Sequence, residues 1–266
     1  MEDRSAPYDG REYSIYLQGS YGNDTNIYAD SDVDVVIQLD SVYYSDLEGL
    51  SQDDLNLYNA SRSTASYSYG DFKTDVIGQL RLEFGSLVKP GNKAILVEGN
   101  GTRRDSDVLA ATLHRRYTRF KSYSDQSYHE GIRFLSSSGT EIINFPKQHS
   151  ANCTTKNKAT NGWFKPSVRI LKNMRNSMIT KGYLQEGIAP SYFLEGMLYN
   201  VPNSKFGSTF QDTVVNSINW LNNSDKNSLL CANELYRLLH PTSPVTWRAE
   251  SFDKYLSAVN KFWNAQ

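Results

Sequence analysis

The sequence predicts an α+β fold: a mixed β-sheet with covering helices, followed by a C-terminal helical lobe. Three observations carry this prediction. The stretch LQGSYGNDTNIYADSDVDVVI, from Leu17 to Ile37, reads as strand, Gly-Ser turn, polar loop and second strand. Apolar and β-branched runs bounded by turn residues then recur as far as Pro146. From Lys147 the composition changes, and helical spacing dominates almost to the C-terminus. The boundary implied is a core over residues 1–148 and a helical lobe over 149–266.

The elements follow in order. Tyr13 to Leu39 is strand, loop and strand, and Leu50 to Tyr69 is polar, reading as helix plus turn. Asp71 to Phe84 is a helix, because Phe72, Val76, Leu80 and Phe84 recur every four residues and make one stripe to bury on the sheet. Lys89-Pro90-Gly91-Asn92 is turn chemistry, and KAILVEG after it is a strand ending at Gly99-Asn100-Gly101. RRDSDVLAATLHRRY is the next strand, and GIRFLSSSGTEIINFP a hairpin joined at Ser-Ser-Gly. The segment QHSANCTTKNKATNG is polar and aperiodic, a connection between lobes. In FKPSVRILKNMRNSMI, Phe164, Val168, Leu171, Met174 and Met178 keep helical spacing while Lys165, Arg169 and Lys172 line another face. Ser191 opens a further helix as its N-cap. Ser217 to Leu221, Leu229 to Leu239 and Phe252 to Trp263 read as short amphipathic helices.

Composition excludes several classes of protein. At 266 residues and 39% hydrophobic content the chain can bury a substantial core. A net charge of −1 lacks the basic excess of a nucleic-acid binder, so small charged substrates fit better. No run of about 18 apolar residues exists and the first residues lack an apolar signal core, so the expected location is the cytoplasm, without a membrane partner. Cys153 and Cys231, with His114, His129, His149 and His240, show no metal-ligand spacing.

The chemistry concentrates around Asp32 and Asp34. Alternation with Val33 and Val35 points both carboxylates to one strand face, where they repel unless a divalent cation offsets them. Hard cations take carboxylate and phosphate oxygens, which makes Mg²⁺ the expected cofactor and Mn²⁺ its alternative. The Gly19-Ser20 turn offers backbone N–H groups and a hydroxyl to phosphate oxygens. Asp105 and Asp107 are a second pair spaced by two. Asp107 is the better third ligand, because it directly precedes an apolar segment as Asp34 does, whereas Asp105 reads as a turn residue. Lys172 on the basic face is a candidate triphosphate contact. Ser191 is either a plain N-cap or one whose helix end also meets phosphate.

The Gly-Ser turn followed by Asp-x-Asp resembles the signature of the polymerase-beta-like nucleotidyltransferases. With DVLAA, EGIRF, INFPKQHSANCTTKN, WFKPSVRILKNMRN and IAPSYFLEGMLYNVPN in the same order, nearly the whole chain resembles the bacterial cGAS/DncV-like nucleotidyltransferases (CD-NTases), most of all clade E. The resemblance implies a nucleotidyltransferase core and helical lobe with the active site in the cleft between them. It implies a magnesium-dependent enzyme that joins nucleoside triphosphates into a cyclic dinucleotide second messenger for a downstream effector in anti-phage (CBASS) signalling. By matching positions, Asp32, Asp34 and Asp107 are the metal-binding catalytic triad, and Gly19 and Ser20 the phosphate turn. Lys172 and Ser191 grip the donor triphosphate, and Asn152 reads a base. The family pattern carries a long helix before the Gly-Ser strand, where here only 18 residues precede Gly19. Two other readings stay open from the residues alone: a nucleotidyltransferase acting on another acceptor, and a nucleotide-binding module without turnover.

Overall fold

The computed structural model of the chain describes residues 6–28 and 32–265. It divides into two compact units: one of residues 6–18 and 32–147, the other of residues 19–28 and 148–265. The second unit resumes at Gln148, and the segment beginning at Gly19 groups with the helices rather than with the sheet. No helix among the described residues is long and apolar enough to cross a membrane.

The first unit is built on a seven-stranded sheet. Its strands are β1 (Tyr13–Leu17), β2 (Val33–Asp46), β3 (Val88–Pro90), β4 (Ile95–Val97), β5 (Ser106–Ser122), β6 (Asp125–Leu135) and β7 (Glu141–Asn144). The order β1-β2-β5 is continued at one edge of β5 by β4 near its start and by β6 over its later length. β2 and β5 run parallel and the other pairs are antiparallel, which makes the sheet mixed. Lys89 and Pro90, expected in a turn, belong to β3 instead. They pair with β4 in a short hairpin at the sheet edge, where a proline removes no ladder hydrogen bond that the sheet needs.

Helices α2 (Gln52–Ser61) and α3 (Tyr69–Phe84) belong to this unit. α3 starts at a capping box in which Ser68 Oγ accepts from the Asp71 N–H and the Asp71 carboxylate accepts from the Ser68 N–H. Its Phe72, Val76 and Leu80 pack with Ile37 and Leu39 of β2 and Val108 and Ala110 of β5. This fixes which sheet face is covered by α3. α2 is pinned by the buried Asp54, which accepts from the Phe120 N–H at 3.0 Å and pairs with Lys121.

The second unit contains the single turn α1 (Gly19–Gly22), helix α4 (Pro146–Ala159) from Gln148 onward, and the helices α5 (Phe164–Thr180), α6 (Ser191–Tyr199), α7 (Phe210–Asn222) and α8 (Ala249–Asn264). Phe164, Val168, Leu171 and Met178 of α5 meet Leu194 and Met197 of α6, Ile218 of α7 and Phe252 and Leu256 of α8 in one apolar core. Two expectations fail here. The segment taken as an aperiodic connection is α4, which buries only His149 and Cys153 and so carries no apolar stripe. It is held by polar side chains instead: Gln148 Nε2 donates to the Asn233 carbonyl at 2.6 Å and Lys156 Nζ to the Val201 carbonyl at 2.5 Å. Leu229 to Leu239 is not a helix but a small hairpin. Leu230 bridges Arg237, the Cys231 N–H reaches the Tyr236 carbonyl, and Glu234 turns the chain at φ 62°.

Candidate active site

Asp34 and Asp107 are register partners on β2 and β5, side by side at the start of two parallel strands. Their parity is opposite to that of Ile37, Leu39, Val108 and Ala110, so both carboxylates project from the sheet face away from α3. Asp32 lies two residues before Asp34, exposed. The Asp107 carboxyl is pushed above the ordinary carboxylate range, first by partial burial and then by the charges of Asp32 and Asp105. Asp105 does different work: its Oδ1 accepts the Gly99 N–H at 2.6 Å and closes the turn before β5. A group of hard oxygen donors, in which burial and then like charge disfavour the ionised form of Asp107, is a donor set suited to a divalent cation of the magnesium kind.

In the other unit, Gly19 opens the turn α1 at φ 60°, a conformation that favours glycine. The Gly19 carbonyl accepts from the Asn23 N–H at 3.0 Å and the Ser20 carbonyl from the Thr25 N–H at 2.9 Å. Three helices reach the end of the turn and the three residues after it. From α4, Ser150 Oγ donates to the Gly22 carbonyl at 3.3 Å. From α5, Arg169 donates to the Asp24 carbonyl at 2.8 Å and Lys172 Nζ to the Thr25 carbonyl at 3.0 Å. From α6, the Glu195 carboxylate accepts from Asn23 Nδ2 at 2.8 Å and Thr25 Oγ1 at 2.5 Å.

Lys172, the candidate triphosphate contact, is fully buried beneath the loop. Ser191 is the first residue of α6 rather than its N-cap. Pro190 occupies the cap position, and Ser191 Oγ accepts from the buried Arg175 at 3.1 Å. Asn152, half-buried on α4, donates through Nδ2 to the Ala232 carbonyl at 2.8 Å.

Asn23, Thr25, His149 and Glu195 were not singled out as site residues from the sequence. The available signal was one acid, Glu195, inside the apolar run FLEGML of α6. Such a carboxylate must be paired if that helix is buried. His149 Nε2 lies 2.7 Å from Glu195 Oε2, and the His149 ring stacks on Tyr192 with centroids 4.7 Å apart. His149, Cys153 and Glu195 also have potential metal-ligating atoms within 4.8 Å of one another. Because the Glu195 oxygens are already engaged by Asn23, Thr25 and His149, this cluster reads as a hydrogen-bond network.

The fold is that of the polymerase-beta-like nucleotidyltransferases, and relatives narrow the class. Residues 151–264 match the family described as the cGAS/DncV-like nucleotidyltransferase C-terminal helical domain. The chain is 37% identical over 259 residues to the cyclic nucleotide synthase CdnE01 of Staphylococcus haemolyticus, covering 95% of this chain and 85% of that protein. It superposes on the Rhodothermus marinus CdnE c-UMP-AMP synthase, solved with Apcpp and Upnpp, with a TM-score of 0.86 at 38% identity, covering 96% of this chain and 85% of that one. The Elizabethkingia meningoseptica CdnE cyclic dinucleotide synthase, solved with GTP and Apcpp, gives a TM-score of 0.75 at 32% identity, with 98% and 86% covered. The chain belongs to the cGAS/DncV-like nucleotidyltransferases, on their CdnE branch. Divalent-metal dependence comes with that family.

Proposed function

We propose that this enzyme joins two nucleoside triphosphates into a cyclic dinucleotide, with Mg²⁺ as the working ion, Mn²⁺ as its alternative, and Asp32, Asp34 and Asp107 as the metal-binding catalytic triad. The observation that carries the reading is the register of Asp34 with Asp107 on adjacent parallel strands, with the charge of Asp32 acting on Asp107. Bound divalent ions would neutralise the triphosphate and make the attacking ribose hydroxyl more acidic.

The chain's own residues supply the rest. Gly19 and Ser20 hold donor phosphates on N–H groups at the start of α1, which the turn itself cannot satisfy. Asp107 helps remove the proton from the attacking ribose hydroxyl as its oxygen bonds to the α-phosphorus and the bond to pyrophosphate breaks. A second round on the linear product closes the ring. With Nδ2 on the Ala232 carbonyl, Asn152 reads a base through Oδ1. Ser191 and Lys172 complete the donor side, Lys172 by way of the loop that it holds. The product acts on a downstream effector in anti-phage signalling, and the place of action is the cytoplasm.

The test is incubation with each labelled nucleoside triphosphate singly and in pairs, with Mg²⁺ or Mn²⁺, then phosphatase treatment and mass spectrometry. Pyrophosphate release with a phosphatase-resistant cyclic product is expected. Label migrating with another acceptor, or binding without pyrophosphate release, would overturn the proposal.

A further inference from the structure

We infer that Glu195 is a positioning residue for catalysis, one that aims the Ser20 and Tyr21 N–H groups of the Gly19-Ser20 turn through Asn23 and Thr25; the inference rests on the reading of that turn as the phosphate holder. The chain of contacts is continuous and lies within the helical unit. The Glu195 carboxylate, 2% exposed, takes the Asn23 amide on one oxygen and the Thr25 hydroxyl on the other. The N–H groups of these same two residues bind the Gly19 and Ser20 carbonyls.

Peptide planarity carries the effect the last step. Fixing the Gly19 carbonyl fixes the Ser20 N–H in the opposite sense, and fixing the Ser20 carbonyl does the same for the Tyr21 N–H. The Ser20 N–H is one of the donors read as the phosphate holder, and the Tyr21 N–H follows it in α1. Glu195 is itself held: His149 Nε2 binds Oε2, and Tyr192 stacks on the His149 ring. Against an ionised carboxylate, which only accepts, Nε2 is the protonated nitrogen.

Thr25 is also held from two sides. Its hydroxyl faces the Glu195 anion, while its carbonyl faces the fully buried Lys172 ammonium. One residue of the loop thus lies between two opposite buried charges, each hydrogen-bonded, and it turns over only by breaking both contacts. Asp24, beside it, sits at φ 53°, a left-handed conformation that needs support from its surroundings. Arg169 on the Asp24 carbonyl supplies part of that support.

The experiment compares wild type with Thr25→Val, Glu195→Gln and Glu195→Ala for KM, kcat and melting temperature, and for binding of a non-hydrolysable nucleoside triphosphate analogue. Thr25→Val removes one hydroxyl at nearly constant volume. It is expected to raise KM and weaken analogue binding by about 3–10-fold, with a melting temperature close to wild type. Glu195→Gln can accept from Asn23 and donate to the Thr25 oxygen, so it should stay within about threefold of wild type. Glu195→Ala should lose tenfold or more in kcat/KM, measured on the folded fraction.

Wild-type KM, kcat and analogue affinity in Thr25→Val and in folded Glu195→Ala would overturn the positioning role while leaving the function intact. A wild-type protein that binds no nucleotide would remove the underlying reading, and the inference with it.

Discussion

Lys172 is fully buried and donates its ammonium to the Thr25 carbonyl at 3.0 Å. A cation in a helical core is costly unless paired, and this carbonyl belongs to the loop that continues the Gly-Ser turn. Lys172→Met keeps the length of the side chain but leaves that carbonyl without this donor. The expected cost is about 1–3 kcal/mol, a fall in melting temperature on the order of 2–10 °C for a chain of this size. Analogue binding should weaken in the same variant. Unchanged melting and unchanged binding would show that the contact does no work.

Asp107 and its neighbours make the opposite kind of prediction, in which activity and stability part. Its carboxyl is raised by burial and then by Asp32 and Asp105, so without metal the ionised form is disfavoured in the fold. The sign follows directly: a carboxyl raised on folding destabilises the native state above its unfolded value, and acid relieves the effect. Asp107→Asn should therefore melt at or above the wild-type temperature in chelator, while pyrophosphate release falls at least 100-fold. Asp34→Asn should lose activity to a similar degree and keep its fold. A folded, fully active Asp34→Asn variant would sink the triad assignment.

What the sequence made legible divides along physical lines. Strands, α3 and α5 follow from local periodicity, because their burial is apolar and regular, as Phe72, Val76 and Leu80 show. The Asp34–Asp107 pairing was half legible: each acid marks the start of an apolar run, but their register depends on strand pairing between residues 73 positions apart. α4 was missed because its anchoring is polar, through Gln148, Asn152 and Lys156 onto distant carbonyls. The burial of Lys172, read only as a candidate triphosphate contact on a basic face, was hidden for a related reason. Helical spacing places a side chain on a face, and says nothing of a loop from 147 residues away settling on it. The same long range hid Glu195 and its partners Asn23 and Thr25.

His114 gives the fold a pH dependence that does not involve the site. It is buried on β5 against the edge of Phe145, and neither ring nitrogen has a hydrogen-bond partner. Burial, with the nearby charges of Asp46, Arg116, Glu141 and Arg133 partly offsetting one another, takes its pKa down to about 4. The unfolded chain takes up this proton below about pH 6.5 and the folded chain only near 4, so stability drains away between those values as pH falls. The loss by pH 4 is about 3 kcal/mol at roughly 1.4 kcal/mol per unit. Urea melts at pH 7.5, 6 and 5 should show a steeper decline for wild type than for His114→Leu. Parallel declines would assign the acid sensitivity to other groups.

Gly131 tests the packing above that histidine. It is the register partner of His114 on β6, and a Cβ placed on it would sit 2.6 Å from the Asn144 carbonyl oxygen and 2.8 Å from the Phe145 ring. Neither obstacle is the loose end of a flexible chain: one is backbone of β7, and the other is a fully buried ring. Alanine would normally be the better strand residue, since glycine loses more conformational freedom on folding. Here the clash outweighs that gain. Gly131→Ala should destabilise by about 1–3 kcal/mol, the usual range for overpacking a filled interior. Denaturant unfolding measures it directly: a lower midpoint at an unchanged slope is the expected outcome. A midpoint equal to or above wild type would mean that β7 and Phe145 yield to a methyl group, contrary to the close packing at this position.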